Sequence, residues 1–128
     1  MTTLELDYCT LRFFDKYVIC IIKKNEHITI EKSNNQTAII LEHYKDRPFV
    51  YITQRIHNYA VDPTIYHDTS KIKTLLGFVV VSKGVSSIKN AIYEKLFLDK
   101  PFEIFEDIED AILWSNHLYN MQQNPDES

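Results

Sequence analysis

Hydrophobic positions along the chain change rhythm several times, and each change marks an element. In "LELDYCTLRFF", Leu4, Leu6 and Tyr8 share one parity, while Cys9, Leu11 and Phe13 share the other. The pattern predicts a strand over Leu4–Phe14 with a bulge or twist near Tyr8. "YVICIIK" follows after a two-residue turn at Asp15-Lys16. In that register Cys9, Leu11 and Phe13 meet Ile22, Cys20 and Val18 as an unbroken apolar face. Thr10, Arg12 and Phe14 face Ile21, Ile19 and Tyr17 as a mixed one, so the pair is antiparallel with one face in the core.

After the polar turn "KKNEH", Thr29 is placed to cap a helix beginning at Ile30, with Ile30, Thr37, Leu41 and Tyr44 on one face. Its "KSNNQ" segment is a poor helix interior. "RPFVYIT" (Arg47–Thr53) and "LGFVVVS" (Leu76–Ser82) are continuous apolar runs, the pattern of strands buried on both faces in a parallel sheet. Between them Ile65, Thr69, Ile72 and Leu76 recur at helical spacing. "VSSIKNAIYEKLFL" puts Ile88, Ala91, Ile92 and Leu96 on a predicted core face, with Ser86 or Ser87 as cap. "KPFEIFED" is a short strand. Asp107 then caps a last helix whose inner face is Ile108, Ala111, Ile112, Ser115 and Leu118, with Glu109 and Asp110 at the positive end of its dipole. The order β-β-α-β-α-β-α-β-α predicts an α/β fold: a mixed, mainly parallel sheet of about five strands, led by an antiparallel hairpin and covered by four helices. Residues 1–120 form a single domain in this reading, and residues 121–128 a polar, frayed tail.

Composition narrows the chemistry. The 128 residues suffice for one core without staples. A net charge of −4 argues against a protein that tracks a nucleic-acid backbone. Two glycines leave no Gly-rich phosphate loop. No apolar run is long enough for a membrane span, and "MTTLELDYC" has no secretory pattern, which suggests a cytoplasmic protein. Cys9 and Cys20 fall on one face at diagonal positions, about 7–8 Å apart. That is too far for an unstrained disulfide, and two buried thiols are expected. His27, His43, His57, His67 and His117 show no metal-ligand spacing. No nucleophile elbow occurs, so neither a metal, nor a cofactor, nor an enzymatic activity is expected.

The remaining candidate site is "NYAVDPTIYHDTSKIK". Asp at the cap and Pro in the first turn is a common helix start. Here it follows the C-terminal end of a buried parallel strand, where open α/β sheets place ligands. Arg55, His57 and Tyr59 of the lead-in, with Asp62, Thr64 and Tyr66, make the predicted partner- or anion-binding set. The tyrosines Tyr44, Tyr59 and Tyr66 are expected to cluster around this loop and helix, either as partly buried rings roofing the core or as exposed aromatics that suit a partner surface. Arg55→Ala or Tyr66→Ala is then expected to lose a partner while keeping the melting temperature.

The element order, with "LRFFDKYVICII", "RPFVYIT", "VDPTIY", "GFVVVS" and "KPFEIFEDIEDAILW", resembles the STAS domain of bacterial anti-sigma-factor antagonists and its soluble relatives, over roughly Leu4–Tyr119. In that family an Asp-Ser-Ser-Gly or Asp-Ser-Thr-Gly motif ends the strand before the second helix, and the hydroxyl two residues after the Asp is phosphorylated by a partner kinase. The resemblance implies Asp62 at the Asp and Thr64 at the phosphoacceptor, although Pro63 and Ile65 depart from the motif. It implies a non-enzymatic regulatory domain that contacts a protein partner through residues 55–73. A small-molecule or lipid-binding module with an apolar crevice beside the same helix is the alternative. The apolar hairpin leaves room for a homodimer.

Overall fold

A computed structural model of the protein describes residues 1–57 and 61–123. Among them are six strands and four helices: β1 (Thr2–Glu5), β2 (Cys9–Phe13), β3 (Tyr17–Ile22), α1 (Ile30–Tyr44), β4 (Phe49–Gln54), α2 (Ile65–Thr69), β5 (Leu75–Val81), α3 (Val85–Lys95), β6 (Phe102–Phe105) and α4 (Ile108–Gln123). The strands lie side by side in chain order in one sheet. β2 runs antiparallel to its neighbours β1 and β3, and β3 to β6 run parallel.

The hairpin forms in the predicted register, with Cys9 opposite Ile22, Leu11 opposite Cys20 and Phe13 opposite Val18. The parity change near Tyr8 proves to be a full reversal rather than a bulge. The Leu6 N–H donates to the Cys9 carbonyl at 2.8 Å and closes a turn, so Leu4–Phe14 is two strands and the sheet has six rather than five.

Three crossovers, β3–α1–β4, β4–α2–β5 and β5–α3–β6, each step one strand in the same direction. Crossovers of one hand stepping one way put their helices on one face. On that face Leu11, Val18 and Ile22 pack under α1, and Phe78, Val80 and Phe102 pack with Tyr66 of α2 and Ala91 of α3. α4, which follows the last strand, covers the opposite face, where Val50, Ile52, Val79 and Val81 meet Ala111. Ala111 and Ser115 are buried as predicted, and the Ser115 hydroxyl is satisfied by the Ala111 carbonyl at 2.8 Å. α4 continues through residues 121–123.

Thr29 caps α1 as its sequence implied, its hydroxyl oxygen accepting from the Lys32 N–H at 3.2 Å. The helix is continuous through "KSNNQ", and its buried face is Gln36, Ile40 and Tyr44, at i, i+4 and i+8, rather than Ile30 and Leu41. Tyr44 stacks on Phe49, and its hydroxyl donates to the Phe14 and Tyr17 carbonyls at 2.7 Å, which ties the helix to the hairpin turn.

α3 departs most from expectation. It starts at Val85 after Gly84, so neither Ser86 nor Ser87 is the cap, and Gly84 supplies no side-chain bond. Its buried residues are Ala91 and Glu94, while Ile92 and Leu96 are 55% and 78% exposed. Ala91 of the predicted face is thus buried and Ile88 half-buried, but the helix is rotated so that Glu94, which meets a buried arginine, takes the inner position in place of Ile92 and Leu96.

Candidate functional site

α1 and α2 do not close over the sheet. Between them lies a crevice with a cavity of about 60 Å³. Ile28, Ile40, Phe49, Ile65, Ile72 and Phe78 give it apolar walls, and Gln36, Tyr51, Thr53 and Arg55 bring polar groups to it. Each wall follows from local sequence. The β4 and β5 runs supply side chains to both faces of the sheet, α1 presents Gln36 and Ile40 from one stripe, and the brief α2 presents Ile65 and Thr69 at i and i+4.

The polar groups of the crevice are already engaged. Arg55 leaves the end of β4 and makes two parallel hydrogen bonds to the Glu94 carboxylate, both at 2.6 Å. The two side chains are only 5% and 7% exposed. The Tyr66 hydroxyl donates to Glu94 Oε1 as well. The bidentate fork and the phenol satisfy most of what a buried carboxylate requires. α3 is thereby bolted to β4 and α2, which explains why Glu94 rather than Ile92 faces inward.

A second buried network lies under α1. The Tyr51 hydroxyl donates to Gln36 Oε1 at 3.0 Å, and Gln36 Nε2 donates to Cys20 Sγ at 2.8 Å, with Cys9 Sγ at 3.7 Å. Both cysteines are free and buried, as the diagonal geometry required. Burial pushes the Cys20 thiol well above its ordinary pKa, and the hydrogen bond from Cys20 holds Cys9 lower. Cys20 therefore remains a neutral thiol, chemically quiet at neutral pH.

The predicted site residues divide. Arg55 and Tyr66, expected at an exposed partner surface, are buried in the Glu94 network. Tyr66 is turned inward because it packs edge-on against Phe78 at 5.5 Å. Tyr44 is fully buried in the hairpin core, apart from Tyr66, so the exposed tyrosine cluster does not form from these two. Tyr59 lies outside the described residues, and His57 is partly buried. Asp62 and Thr64 are exposed at the helix start. The Asp62 carboxylate accepts from the Thr64 N–H at 3.0 Å and from its hydroxyl at 2.7 Å, and these bonds lower the pKa of Asp62. The cap position of α2 is Thr64, which makes no side-chain cap bond, so Asp62 and Pro63 are not the cap and first turn expected from sequence. They form a tight lead-in in which their carbonyls accept from the Ile65 and Tyr66 N–H groups.

Neither the family models nor the curated proteins include a match to this chain. A solved structure does resemble it: the crystal structure of an uncharacterized protein from the DUF3478 family, with a SpoIIAA-like fold, from Shewanella loihica PV-4. The two share 17% identity with a TM-score of 0.58 over 89% of this chain and 98% of that one. The fold is STAS-like. That likeness, at this identity, is one of architecture.

Within the STAS-like frame, sequence reasoning missed two residues, Glu94 and Gln36. Each is polar on the buried stripe of its helix. A carboxylate three positions from a buried alanine, in a chain that also places an arginine at the end of a core strand, was the available signal for the first. Among the described residues no group of three His, Cys, Asp or Glu side chains can hold a metal ion, and no helix is long and apolar enough to cross a membrane.

Proposed function

We propose that the protein is a non-enzymatic STAS-like binding domain of cytoplasmic regulation, which takes a small, largely apolar ligand in the crevice between α1 and α2. The observation that carries this reading is the crevice itself. Its cavity of about 60 Å³ is several times what one water needs. Its walls are mostly apolar, and a void of that kind favours hydrocarbon over water. The cavity suits a short branched hydrocarbon or the end of an acyl chain. The Arg55–Glu94–Tyr66 and Gln36–Tyr51 networks fix the walls around it, and their mutual satisfaction favours binding over catalysis.

Thr69 provides the test. It lines the crevice, and among the described residues its hydroxyl bonds back to the Ile65 carbonyl of its own helix at 3.0 Å, a contact within α2. Native mass spectrometry of the freshly purified protein, and titration with medium-chain fatty acids, should detect a bound species. Thr69→Trp should abolish it while the melting temperature holds. Failure of the wild type to bind any member of the series, or equal binding by Thr69→Trp, would refute the crevice reading.

Thr64 favours a second reading, contact with a protein partner through the exposed part of residues 55–73. Its hydroxyl is exposed two residues after an aspartate, the spacing of the STAS phosphoacceptor. Phosphorylation would add charge beside Asp62 and remove the hydroxyl donor that Asp62 accepts. The expected result is a mass gain of about 80 Da on incubation with a cell extract, mapped to Thr64 and accompanied by a lower melting temperature. A folded protein whose mass does not change in that extract excludes this switch.

A further inference from the structure

We propose that the outward stripe of α3 docks on an anionic lipid surface. Of the face that sequence periodicity assigns to the core, Ala91 is buried and Ile88 half-buried, while Ile92 and Leu96 turn outward and join Val85 in an exposed stripe. Val85, Ile92 and Leu96 project within about 60° of one another at roughly 100° per residue, and all three are largely solvent-exposed. Tyr93 and Phe97 extend the surface on one side, also exposed, with their rings in contact at 5.1 Å. A run of large apolar side chains this dense has no structural role on a solvated helix.

Charge selects the occupant. The chain carries a net charge of −4, yet the segment holding the stripe exposes Lys83, Lys89 and Lys95, while Lys100 is tied to the Ile72 carbonyl at 2.6 Å. Its acids are Glu94, buried against Arg55, and Asp99. Lys89 stands within the apolar stripe and Lys95 beside it, the arrangement in which lysine stems lie along hydrocarbon and the ammonium groups reach phosphate. A second copy of the chain is disfavoured, because an isologous contact of this helix would set lysines against lysines. A folded protein partner needs a groove shaped to the protruding side chains. The yielding interfacial layer of a bilayer does not, and anionic headgroups complement the cations. α1, α2 and α3 share one face of the sheet, so this surface lies on the same side of the molecule as the crevice. The proposal does not depend on the crevice being occupied.

The test is flotation of the full chain with vesicles. Phosphatidylcholine vesicles with about a third phosphatidylglycerol should carry the protein at low salt and release most of it at high salt. Pure phosphatidylcholine should bind at least about tenfold more weakly. Ile92→Ser with Leu96→Ser should weaken binding by about tenfold or more, as should Lys89→Gln with Lys95→Gln. Both pairs alter exposed side chains, and their melting temperatures should match that of the wild type. Leu113→Ser, an equally exposed apolar position on α4 across the sheet, should bind as the wild type does. Absence of binding to anionic vesicles would overturn the proposal. So would wild-type binding by the Ile92/Leu96 variant, or a dimer in sedimentation that this variant converts to monomer.

Discussion

Arg55→Met should destabilise the protein by about 3–5 kcal/mol, read as a fall in melting temperature on the order of 10 °C. The reason is the group left behind. Glu94 would keep its buried position and lose both hydrogen bonds of the guanidinium, while still accepting from the Tyr66 hydroxyl. Glu94→Leu should also destabilise, because it takes the bidentate carboxylate away from a buried guanidinium. The triple replacement Arg55→Met, Glu94→Leu, Tyr66→Phe should recover most of the loss, since well-packed apolar groups of similar volume often replace a buried ion pair at little cost. Equilibrium urea unfolding of the three variants tests this. Single variants that unfold within about 1 kcal/mol of the wild type would mean that water reaches the pair and screens it. This expectation reverses the one drawn from sequence, in which Arg55→Ala and Tyr66→Ala kept their stability and lost a partner. Residues that bolt α3 to the sheet cannot serve as probes of a binding surface until their folding effect is separated out.

The architecture was largely legible because its signals are local and redundant. The hairpin register followed from matching two apolar faces across a two-residue turn, and a one-residue slip would have turned Cys9, Leu11 and Phe13 to the wrong side. The parallel core strands followed from continuous apolar runs, whereas the placement of α1, α2 and α3 on one face needed the strand order as well. The extra strand was hidden because a reversal at Leu6–Tyr8 and a bulge there change side-chain parity in the same way. The candidate site was harder to read. A crevice does open beside α2. Arg55 and Tyr66, read from sequence as exposed there, are buried instead. Whether Arg55 points to solvent or inward depends on Glu94, far along the chain, and periodicity counts a glutamate as a surface residue. The α3 stripe was misread for the same reason: counting apolar positions favours the face of Ile92 and Leu96, whereas one buried carboxylate with a matched arginine outweighs them.

Gly77→Val should destabilise the protein by about 1–3 kcal/mol, although valine is the better strand former. β5 is a central strand, and α4 crosses it closely on the face away from the crevice. A Cβ at Gly77 would sit 2.5 Å from Leu118 Cδ2, 3.3 Å from Trp114 and 3.3 Å from the Pro101 carbonyl oxygen. Leu118 can rotate away, but the Pro101 oxygen is backbone and accepts the Phe78 N–H that starts the β5–β6 ladder. Overpacking is thus directed at α4 and at the edge strand together. The isolated glycine in "LGFVVVS" was the sequence signal for such a close approach. A thermodynamic cycle separates the two contacts. If Leu118 is the main obstacle, Gly77→Ala combined with Leu118→Ala should cost less than the sum of the single changes, because the new methyl occupies space that the leucine vacates. Strict additivity in thermal unfolding would shift the constraint to Pro101 and Trp114. A Gly77→Val protein as stable as the wild type would mean that α4 does not pack this tightly on the sheet.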